Sequence, residues 1–529
     1  MRYKLLITSI FFALVSTITV NAQNDLHSDL KKLEFFLASV DSKYVDSVNT
    51  SELVETALKE MLRELDPHSV YLDRESYSSS NEQLQGKFKG IGIRYQMIDD
   101  TMTVLEVMPN SGASRAGMKM GDQIIATASD TISGKLLANH QIGEILQTEN
   151  DQINDLVVWR KVTEQKLIFN IDRTQIDVSS VPVSVMIGNE SGYIKLSKFT
   201  ASSYDDFKEA LEELNDQGVK QLIVDLRGNS GGYLSRAIKI TDEFLDDRKL
   251  IVFTEGLHQA KKETFATSGG RYLKGDLIIL IDENSASASE IFAGAIQDWD
   301  RGLIIGRRSF GKGLVQRPIE FNDGSAMRLT ISRYYTPTGR SIQQPYQDGY
   351  EAYKKSHRLR NISGELLSQD SIKVADSLIY YTPNNRKVYG GGGIVPDVFV
   401  AKDTSSLSYP IRPLNRRGLI HGYALKLASE QGDSIRRNFS TVNAFLQSEE
   451  INTDYTSSFN EFVEGRALQL DTVAFKANKT EFEEQLIPLI CRFVYDYESY
   501  FRALLNYDKD FLAALEAFEK DTIQELGLK

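Results

Sequence analysis

Residues 284–290 read NSASASE, residues 311–316 read GKGLVQ, and the strand and helix patterns around these two stretches decide the fold class. In the first stretch Ser287 stands three residues before Glu290, which is the capping-box pattern of a helix start. Ser287 could serve only as that cap. A hydroxyl at a helix N-terminus is also well placed for catalysis, because the N–H groups around it can stabilise an oxyanion. Ser287 is therefore a candidate nucleophile.

The second stretch supplies a candidate base, Lys312. On a strand, Lys312 and Gln316 would project to the same face, where the glutamine can hydrogen-bond to the amine. A general-base lysine must be neutral, and burial is the available means of lowering its pKa. An ordinary solvated surface lysine is the alternative. The six histidines lie singly and far apart, so the sequence favours lysine as the base.

Residues 306–313, GRRSFGKG, match most of a phosphate-binding loop. Gly313, however, stands where Ser or Thr should bind magnesium. The residues that follow have a strand pattern, so no helix dipole would face a phosphate. We therefore expect no nucleotide site, and the glycines instead indicate a backbone that passes close beside another element.

The segment from about 180 to 344 alternates strand and helix patterns, which predicts an α/β core. Within it, residues 225–232 read DLRGNSGG. A strand that ends in a glycine-rich turn and then opens a helix commonly exposes backbone N–H groups to a ligand. This loop could therefore supply the electrophilic partner of the serine and the lysine.

A second glycine-containing stretch, residues 90–93, reads GIGI. Gly90 and Gly92 allow successive N–H groups to converge into a nest that can hold a carboxylate. A strand that leads away from this nest, with Ile91 and Ile93, can pair with an extended peptide. A plain glycine-containing turn is an equal alternative on these residues alone.

Composition argues against several classes of function. The formal net charge is −12 and no basic run is clustered, so nucleic acid and anionic lipid are poor candidates as partners.

Arg2 and Lys4 precede an apolar run that ends in small residues, which predicts a secretory signal peptide over residues 1–22. No later stretch is apolar and long enough to span a bilayer. The single cysteine, Cys491, can form no internal disulfide and is expected to be buried.

In this order the motifs resemble the C-terminal processing (tail-specific) peptidases, a serine–lysine protease family. The resemblance covers most of residues 50–400. It implies an α/β fold with a crotonase-like (ClpP/crotonase-type) core, an inserted PDZ-like β-rich domain and helical N- and C-terminal regions. It also implies hydrolysis without a metal or an organic cofactor. The motifs that carry it are LDPHS at 65–69, the glycine-containing stretch 90–118, DLRGNSGG at 225–232, the serine run at 285–298 and GKGLVQ at 311–316.

The family's catalytic residues map onto the two stretches quoted first. The nucleophile is the middle serine of the run, which maps to Ser287 rather than to Ser285 or Ser289. The base maps to Lys312, and the glutamine four residues later maps to Gln316. The resemblance thus implies the serine–lysine pair that the residues themselves suggest.

The family's oxyanion N–H groups map to Ala288 and to either Gly231 or Gly232, and the sequence leaves both glycines open. The peptide-binding nest maps to Gly90-Ile91-Gly92-Ile93. The PDZ-like region departs from the family pattern, because residues 150–153 read NDQI where a Gly-Thr pair is usual.

The expected organisation has five parts, and residues 344–388 have the character of an insertion in the fourth. The expected bounds are 1–22 for the signal peptide, 23–82 for an N-terminal helical region, 83–172 for the PDZ-like domain, 173–402 for the protease core and 403–529 for a C-terminal helical region.

The resemblance implies an exported serine endopeptidase, periplasmic in a Gram-negative envelope, that cleaves proteins near their C-terminal tails. Its partners would be protein or peptide tails, and an oligomer or an adaptor partner is possible. A catalytically inactive PDZ adaptor is the alternative, and the intact Ser287, Lys312 and Gln316 argue against it. A serine hydrolase that uses His258 as its base has little support, because the sequence shows no acid–histidine–serine pattern.

Overall fold

The computed structural model describes residues 26–135, 137, 139–146, 152–404, 409–466 and 470–528. The expected signal peptide at 1–22 lies outside these residues. They form a mixed α/β protein with helical regions at both ends. Within the described part of the chain, no helix combines the length and the apolar character that crossing a membrane requires.

The N-terminal region is helical, as its apolar spacing of three and four residues predicts. Its second helix ends at Leu65, and Asp66 forms the C-cap directly before Pro67, which was expected to stop the helix. The elements are α1 (26–43), α2 (Thr50–Leu65), β1 (Val70–Leu72) and α3 (Arg74–Gln85).

The next region is an antiparallel β-sheet that packs around one buried apolar cluster. A strand was expected over Ile91-Gly92-Ile93, but it begins only at Ile93, because Gly92 adopts a left-handed backbone with φ +83°. The elements are β2 (Lys87–Gly90), β3 (Ile93–Ile98), β4 (Thr101–Val107), α4 (Gly112–Ala116), β5 (Asp122–Ala126), α5 (Asn139–Leu146), β6 (Gln152–Arg160), β7 (Gln165–Asp172) and β8 (Thr174–Asp177).

The strand order of this sheet is β3-β4-β5-β6-β7, so β3 lies at an edge. The flanking strands β2 and β8 pair with each other, and Lys87 lies opposite Asp177. The chain therefore enters and leaves this region side by side.

Residues 183–399 carry the predicted α/β core. The alternation of strands and helices that was expected from about residue 180 is present. The elements are β9 (Val183–Ile187), β10 (Ser191–Lys195), α6 (Ser203–Asp216), β11 (Gln221–Asp225), α7 (Leu234–Asp242), β12 (Leu250–Gly256), β13 (Gln259–Phe265), β14 (Asp276–Ile281), α8 (Ala288–Asp298), β15 (Leu303–Gly306), β16 (Leu314–Glu320), β17 (Ala326–Tyr335), α9 (Tyr350–Ile362), β18 (Ile379–Tyr381), β19 (Lys387–Tyr389) and β20 (Val398–Phe399).

Six of these strands form the central sheet in the order β20-β15-β14-β11-β10-β9. All neighbours are parallel except β9 and β10. The central strands β11, β14 and β15 are almost wholly buried, as parallel strands covered on both faces must be. The loops after β11 and β14 therefore emerge at the same edge of the sheet, which is where α/β proteins place their sites.

A second sheet has the order β1-β17-β12-β13, and β16 also pairs with β17. The sequence patterns did not predict β12, β13 or β17. β13 is exposed along almost its whole length, so it lacks the apolar alternation that marks a half-buried strand.

The insertion at 344–388 folds as α9, two short 3₁₀ turns (Gln369–Ser371 and Asp376–Leu378) and the β18–β19 hairpin. Its Arg360 donates to the main-chain oxygens of Arg308 at 2.6 Å and Ser309 at 2.9 Å. The insertion therefore braces the loop that leads to Lys312.

The C-terminal region is helical, as expected. One helix continues through Pro488, and Cys491 is fully buried as predicted. The helices are α10 (Ile411–Arg416), α11 (Leu419–Asn438), α12 (Val442–Leu446), α13 (Thr456–Glu464), α14 (Thr472–Ala477), α15 (Lys479–Val494), α16 (Tyr497–Leu505), α17 (Lys509–Glu519) and α18 (Thr522–Glu525), with a 3₁₀ turn at Glu449–Asn452.

The last two helices complete the α/β core. Helices α6, α7 and α8 share one apolar cluster with one face of the central sheet, whereas α17 and α18 share another cluster with its opposite face. Arg227, in the loop after β11, donates to Asp508 at 2.7 Å and to Asp510 at 2.8 Å. These hydrogen bonds link the start of α17 to the glycine-rich loop at residues 225–232.

Candidate active site

Ser287 lies directly before α8, at the edge of the central sheet where the loops after β11 and β14 emerge. The predicted capping box is present, and Glu290 Oε2 accepts the Ser287 N–H at 2.7 Å. The Ser287 backbone has φ 56° and ψ −110°, a conformation that non-glycine residues rarely adopt. Such strain clusters at functional sites because the surrounding structure must hold it in place.

Ser287 is the only one of the three clustered serines that lines the adjacent cleft, which has a volume of about 910 Å³. Ser285 and Ser289 are both 0% exposed. The Ser285 hydroxyl donates to the Leu226 carbonyl, and the Ser289 hydroxyl donates to the Asn229 carbonyl, each at 2.9 Å. These two serines therefore hold the glycine-rich loop against the start of α8.

Lys312 lines the same cleft, and its amine donates to Gln316 Oε1 at 2.8 Å, which is the predicted hydrogen bond. Burial lowers the pKa of Lys312 to about 8, and the positive charge of Arg328 adds to the effect. The expected strand begins only at Leu314, and the pairing register shifts between Val315 and Gln316. The two side chains therefore meet across an irregular strand start rather than along a regular strand.

The turn that contains His68 orients Gln316. The Gln316 amide donates to the His68 carbonyl oxygen. Asp66 shapes the turn, because its carboxylate accepts the N–H groups of His68 and Ser69, both at 2.8 Å. Burial, followed by the charge of Lys312, lowers the pKa of His68 to about 4, so the imidazole is neutral at pH 7. The carbonyl of His68 thus serves the site, while its ring packs against Phe310 and Tyr353.

The capping-box pattern marked Glu290 only as part of a helix start, but its buried carboxylate connects both halves of the site. Oε2 accepts the N–H groups of Ser287 at 2.7 Å and Lys312 at 2.9 Å. Oε1 accepts the Ser309 hydroxyl at 2.6 Å and the Gly311 N–H at 2.7 Å. Burial raises the pKa of Glu290 to about 7, although these four donors favour the ionised form.

Tyr334, on β17, connects the same two segments from the other side. Its hydroxyl lies within hydrogen-bond distance of the carbonyl oxygens of Ser287 (2.9 Å) and Lys312. Nothing in the local sequence marked Tyr334, because its role depends on a long-range approach of β17. The neighbouring Gly311 passes so close to Gly392 that an added Cβ would lie 3.1 Å from its carbonyl carbon, which agrees with the expected close backbone contact.

The glycine-rich loop faces Ser287. A Cβ on Gly231 would lie 2.9 Å from the Ser287 Cβ and 3.0 Å from the Ala288 nitrogen. The Gly231 N–H is already occupied, because it donates to Asn229 Oδ1 at 2.9 Å. Among the residues that the structure describes, the N–H groups of Gly232 and Ala288 have no hydrogen-bond partner.

Residues 90–93 do not line this cleft and run from the end of β2 to the start of the edge strand β3. The N–H groups of Ile91 and Gly92 form no hydrogen bond with any described residue. Their carbonyl oxygens accept the N–H groups of Ala113 and Met108, each at 2.8 Å. The carbonyls are therefore fixed, and the N–H groups remain available to a ligand.

His258 lines a different cavity of about 300 Å³ and does not line the Ser287 cleft. Across the described ranges, no cluster of three or more His, Cys, Asp or Glu side chains could hold a metal ion. Within the cleft, burial lowers the pKa of Lys312 to about 8, toward the range that a general base requires.

Two family descriptions match this chain. Peptidase family S41 matches residues 190–349, which include Ser287 and Lys312. The N-terminal domain of the activating protease CtpB matches residues 14–76.

Two curated proteins and one solved structure are reported as similar to the chain. The carboxy-terminal-processing protease of Bartonella bacilliformis is 32% identical over 390 residues, which cover 71% of this chain and 89% of that protein. The carboxy-terminal processing protease CtpB of Bacillus subtilis is 32% identical over 329 residues, covering 62% and 68%. The photosystem II D1 C-terminal processing protease superimposes with a TM-score of 0.36 at 22% identity, covering 69% and 86%.

The first of these relatives matches most of both chains, so the likeness extends well beyond one motif. On this evidence the chain belongs to peptidase family S41, the family of the carboxy-terminal processing proteases, and it is a serine-type peptidase.

Proposed function

We propose that this protein is an exported endopeptidase that cleaves protein substrates near their C-terminal tails through a Ser287–Lys312 dyad. One observation carries the proposal. A half-buried lysine with a lowered pKa, held by Gln316, lines the same cleft as Ser287. Exposed lysines are protonated at pH 7 and cannot accept a proton, so this setting is what a lysine base needs.

The chemistry follows from the positions of these groups. Neutral Lys312 accepts the proton of the Ser287 hydroxyl while the serine oxygen attacks the scissile carbonyl carbon. The protonated amine then donates that proton to the leaving amine, and an acyl-enzyme forms. Lys312 activates a water molecule for hydrolysis of the ester in the same way. Gln316, fixed by the His68 carbonyl, keeps the amine oriented through both steps.

The oxyanion of the tetrahedral intermediate would be bound by the N–H groups of Ala288 and Gly232. Both groups border the cleft, and both are free of partners among the described residues. Gly231 is the weaker candidate of the two glycines, because Asn229 already accepts its N–H. Removal of one such donor typically costs about 3–4 kcal/mol of transition-state stabilisation.

We assign recognition of the substrate C-terminus to the sheet of residues 87–177, as a PDZ-like domain inserted into a crotonase-like core. The pairing of Lys87 with Asp177 supports an insertion, since both connections to the core run side by side. The free N–H groups of Ile91 and Gly92 would bind the terminal carboxylate. The tail would then add as a strand to the β3 edge, opposite α5, whose Ile142 and Ile145 share an apolar cluster with β3.

Export rests on the pattern of residues 1–22, and we propose a periplasmic location together with it.

Peptide cleavage tests this function directly. The wild type should cleave a peptide with an apolar tail and a free C-terminus, and amidation of that C-terminus should slow cleavage. Ser287→Ala should abolish cleavage while its circular dichroism spectrum is retained. Ser235→Ala, which removes an exposed serine hydroxyl on α7, is the matched control and should remain active. Full cleavage by Ser287→Ala would refute the nucleophile, and equal cleavage of both peptides would refute carboxylate recognition.

A further inference from the structure

The cleft around Ser287 is basic although the protein as a whole is acidic. Its described lining residues include no Asp or Glu, and the chain has a formal net charge of −12. A cleft with one sign of charge attracts ligands of the opposite sign. The basic residues that line it are Lys198, Lys262, Lys312, Arg317 and Arg328.

Two of these cations, Lys198 and Arg328, are held by helix α3 through neutral groups only. The Lys198 amine donates to Gln83 Oε1 at 3.2 Å, and the Arg328 guanidinium donates to the Ser80 hydroxyl at 2.7 Å. Neither forms an ion pair with a described residue. Helix α3 therefore fixes the positions of these two positive charges, and no described carboxylate neutralises them.

The two cations are close enough to affect each other. Burial lowers the pKa of Lys198, and the charge of Arg328 lowers it further. Holding two like charges together in a partly buried place is unfavourable. A bound anion would offset this repulsion, and a carboxylate can accept charge-assisted hydrogen bonds from both donors.

This pair lies next to the reacting groups. In the β16–β17 ladder, Gln316 is opposite Thr330 and Pro318 is opposite Arg328. Arg328 is thus two residues along the strand from the level of Gln316, a distance of about 7 Å. An extended substrate with its scissile bond at Ser287 would bring a side chain within a few residues of that bond to this position.

We propose that Lys198 and Arg328 form a carboxylate-binding subsite, so that the peptidase prefers substrates with an acidic group within a few residues of the scissile bond. The inference rests on the proposed function of Ser287. The carboxylate can come from an Asp or Glu side chain or from the terminus of a short tail.

Four peptides distinguish these sources. They carry Glu or Gln near the scissile bond, each with a free or an amidated C-terminus. For a side-chain carboxylate, kcat/KM should be about tenfold higher for Glu than for Gln at either C-terminus. For a terminal carboxylate at this subsite, only the free C-terminus should raise kcat/KM, and Lys198→Gln should abolish that effect, whereas recognition by the Ile91 and Gly92 N–H groups would leave it unchanged in this variant. The preference should weaken at high salt, which screens charges. Equal kcat/KM for all four peptides would overturn the inference.

Substitutions locate the effect. Lys198→Gln should reduce the preference, and Lys198→Glu should reverse it in favour of a peptide with Lys at the same position. Lys274→Gln removes the same charge from an exposed position outside the cleft and should leave the preference unchanged. Equal effects of Lys198→Gln and Lys274→Gln would contradict a local subsite.

Binding separates this inference from the proposed function. The affinity of the same four peptides for Ser287→Ala, measured by fluorescence anisotropy, requires no cleavage. If no peptide is cleaved by the wild type but, with an amidated C-terminus, the Glu peptide binds about tenfold more tightly than the Gln peptide, the subsite stands and the peptidase proposal fails. Equal affinities for the four peptides would overturn the subsite.

Discussion

Ser287 and Lys312 donate their backbone N–H groups to the same atom, Oε2 of Glu290, at 2.7 and 2.9 Å. The Tyr334 hydroxyl lies against the carbonyl oxygens of the same two residues. One carboxylate and one hydroxyl therefore fix the helix start and the lysine loop relative to each other. In the proposed mechanism, this double connection keeps the nucleophile and the base together.

The role of Glu290 predicts a steep pH dependence. Lys312 must lose a proton with a pKa of about 8, and the Glu290 carboxylate must be ionised with a pKa of about 7. The neutral fraction of Lys312 and the ionised fraction of Glu290 both grow as pH rises, so log kcat/KM for a neutral peptide should rise with a slope of about 2 below pH 7. A slope of 1 in the wild type would show that Glu290 does not titrate with activity.

Glu290→Gln should reduce that slope to 1, because one of the two titrating groups is removed. The new amide would also point an N–H group at existing donors, which should destabilise the fold by about 1–3 kcal/mol. Urea unfolding measures the stability, and a pH series of kcat/KM measures the slope. An unchanged slope of 2 in this variant would assign the second proton to another group.

Lys312→Arg should lower kcat by a factor of about 10²–10⁴, since a guanidinium remains protonated and cannot act as a base. Lys312→Ala is the comparison, because it removes the amine without adding a charge. The kcat of both variants is measured by steady-state cleavage of the same peptide. An arginine variant with wild-type kcat would place the base elsewhere.

Arg328→Gln should move the acid limb of activity to higher pH. The charge of Arg328 helps to lower the pKa of Lys312, so its removal should raise that pKa and a smaller fraction of the lysine would be neutral at pH 7. A pH profile with a neutral peptide measures the shift. Arg317→Gln removes another cleft cation and should leave the limb in place. A shift toward lower pH in Arg328→Gln would contradict this origin of the lowered pKa.

Phe511→Ala tests whether the C-terminal helices belong to the core. The Phe511 ring is 2% exposed and lies edge-on to Tyr193 of the central sheet at 5.6 Å. Its loss should lower the free energy of unfolding by about 3–5 kcal/mol. Leu512→Ala, at a neighbouring residue that is 43% exposed, should cost less than about 1 kcal/mol. If chemical unfolding shows similar losses of free energy of unfolding for the two variants, α17 does not stabilise the sheet.

The sequence patterns predicted the structural features that depend on residues close together in the chain. The capping box predicted the start of α8, and the hydrogen bond between Lys312 and Gln316 was predicted too, although from a regular strand that the chain does not form at Lys312. The same patterns could not reveal that Glu290 also binds the lysine loop, because a capping glutamate looks identical whether or not another segment approaches it. The approach of Tyr334 depends on long-range pairing of strands for the same reason.

The C-terminal helices show a related limit. Apolar spacing predicted that they are helical, but spacing does not state which surface an apolar face covers. That Arg227 in the glycine-rich loop pairs with Asp508 and Asp510 follows only from the folded arrangement.

Labelling with a fluorophosphonate, followed by mass spectrometry of the modified peptide, tests the central claim most directly. A Ser287–Lys312 dyad should give one adduct on Ser287, with a labelling rate that rises with pH through about 8 and is abolished in Lys312→Arg. An adduct on another serine, or a rate in Lys312→Arg equal to that of the wild type, would contradict the dyad.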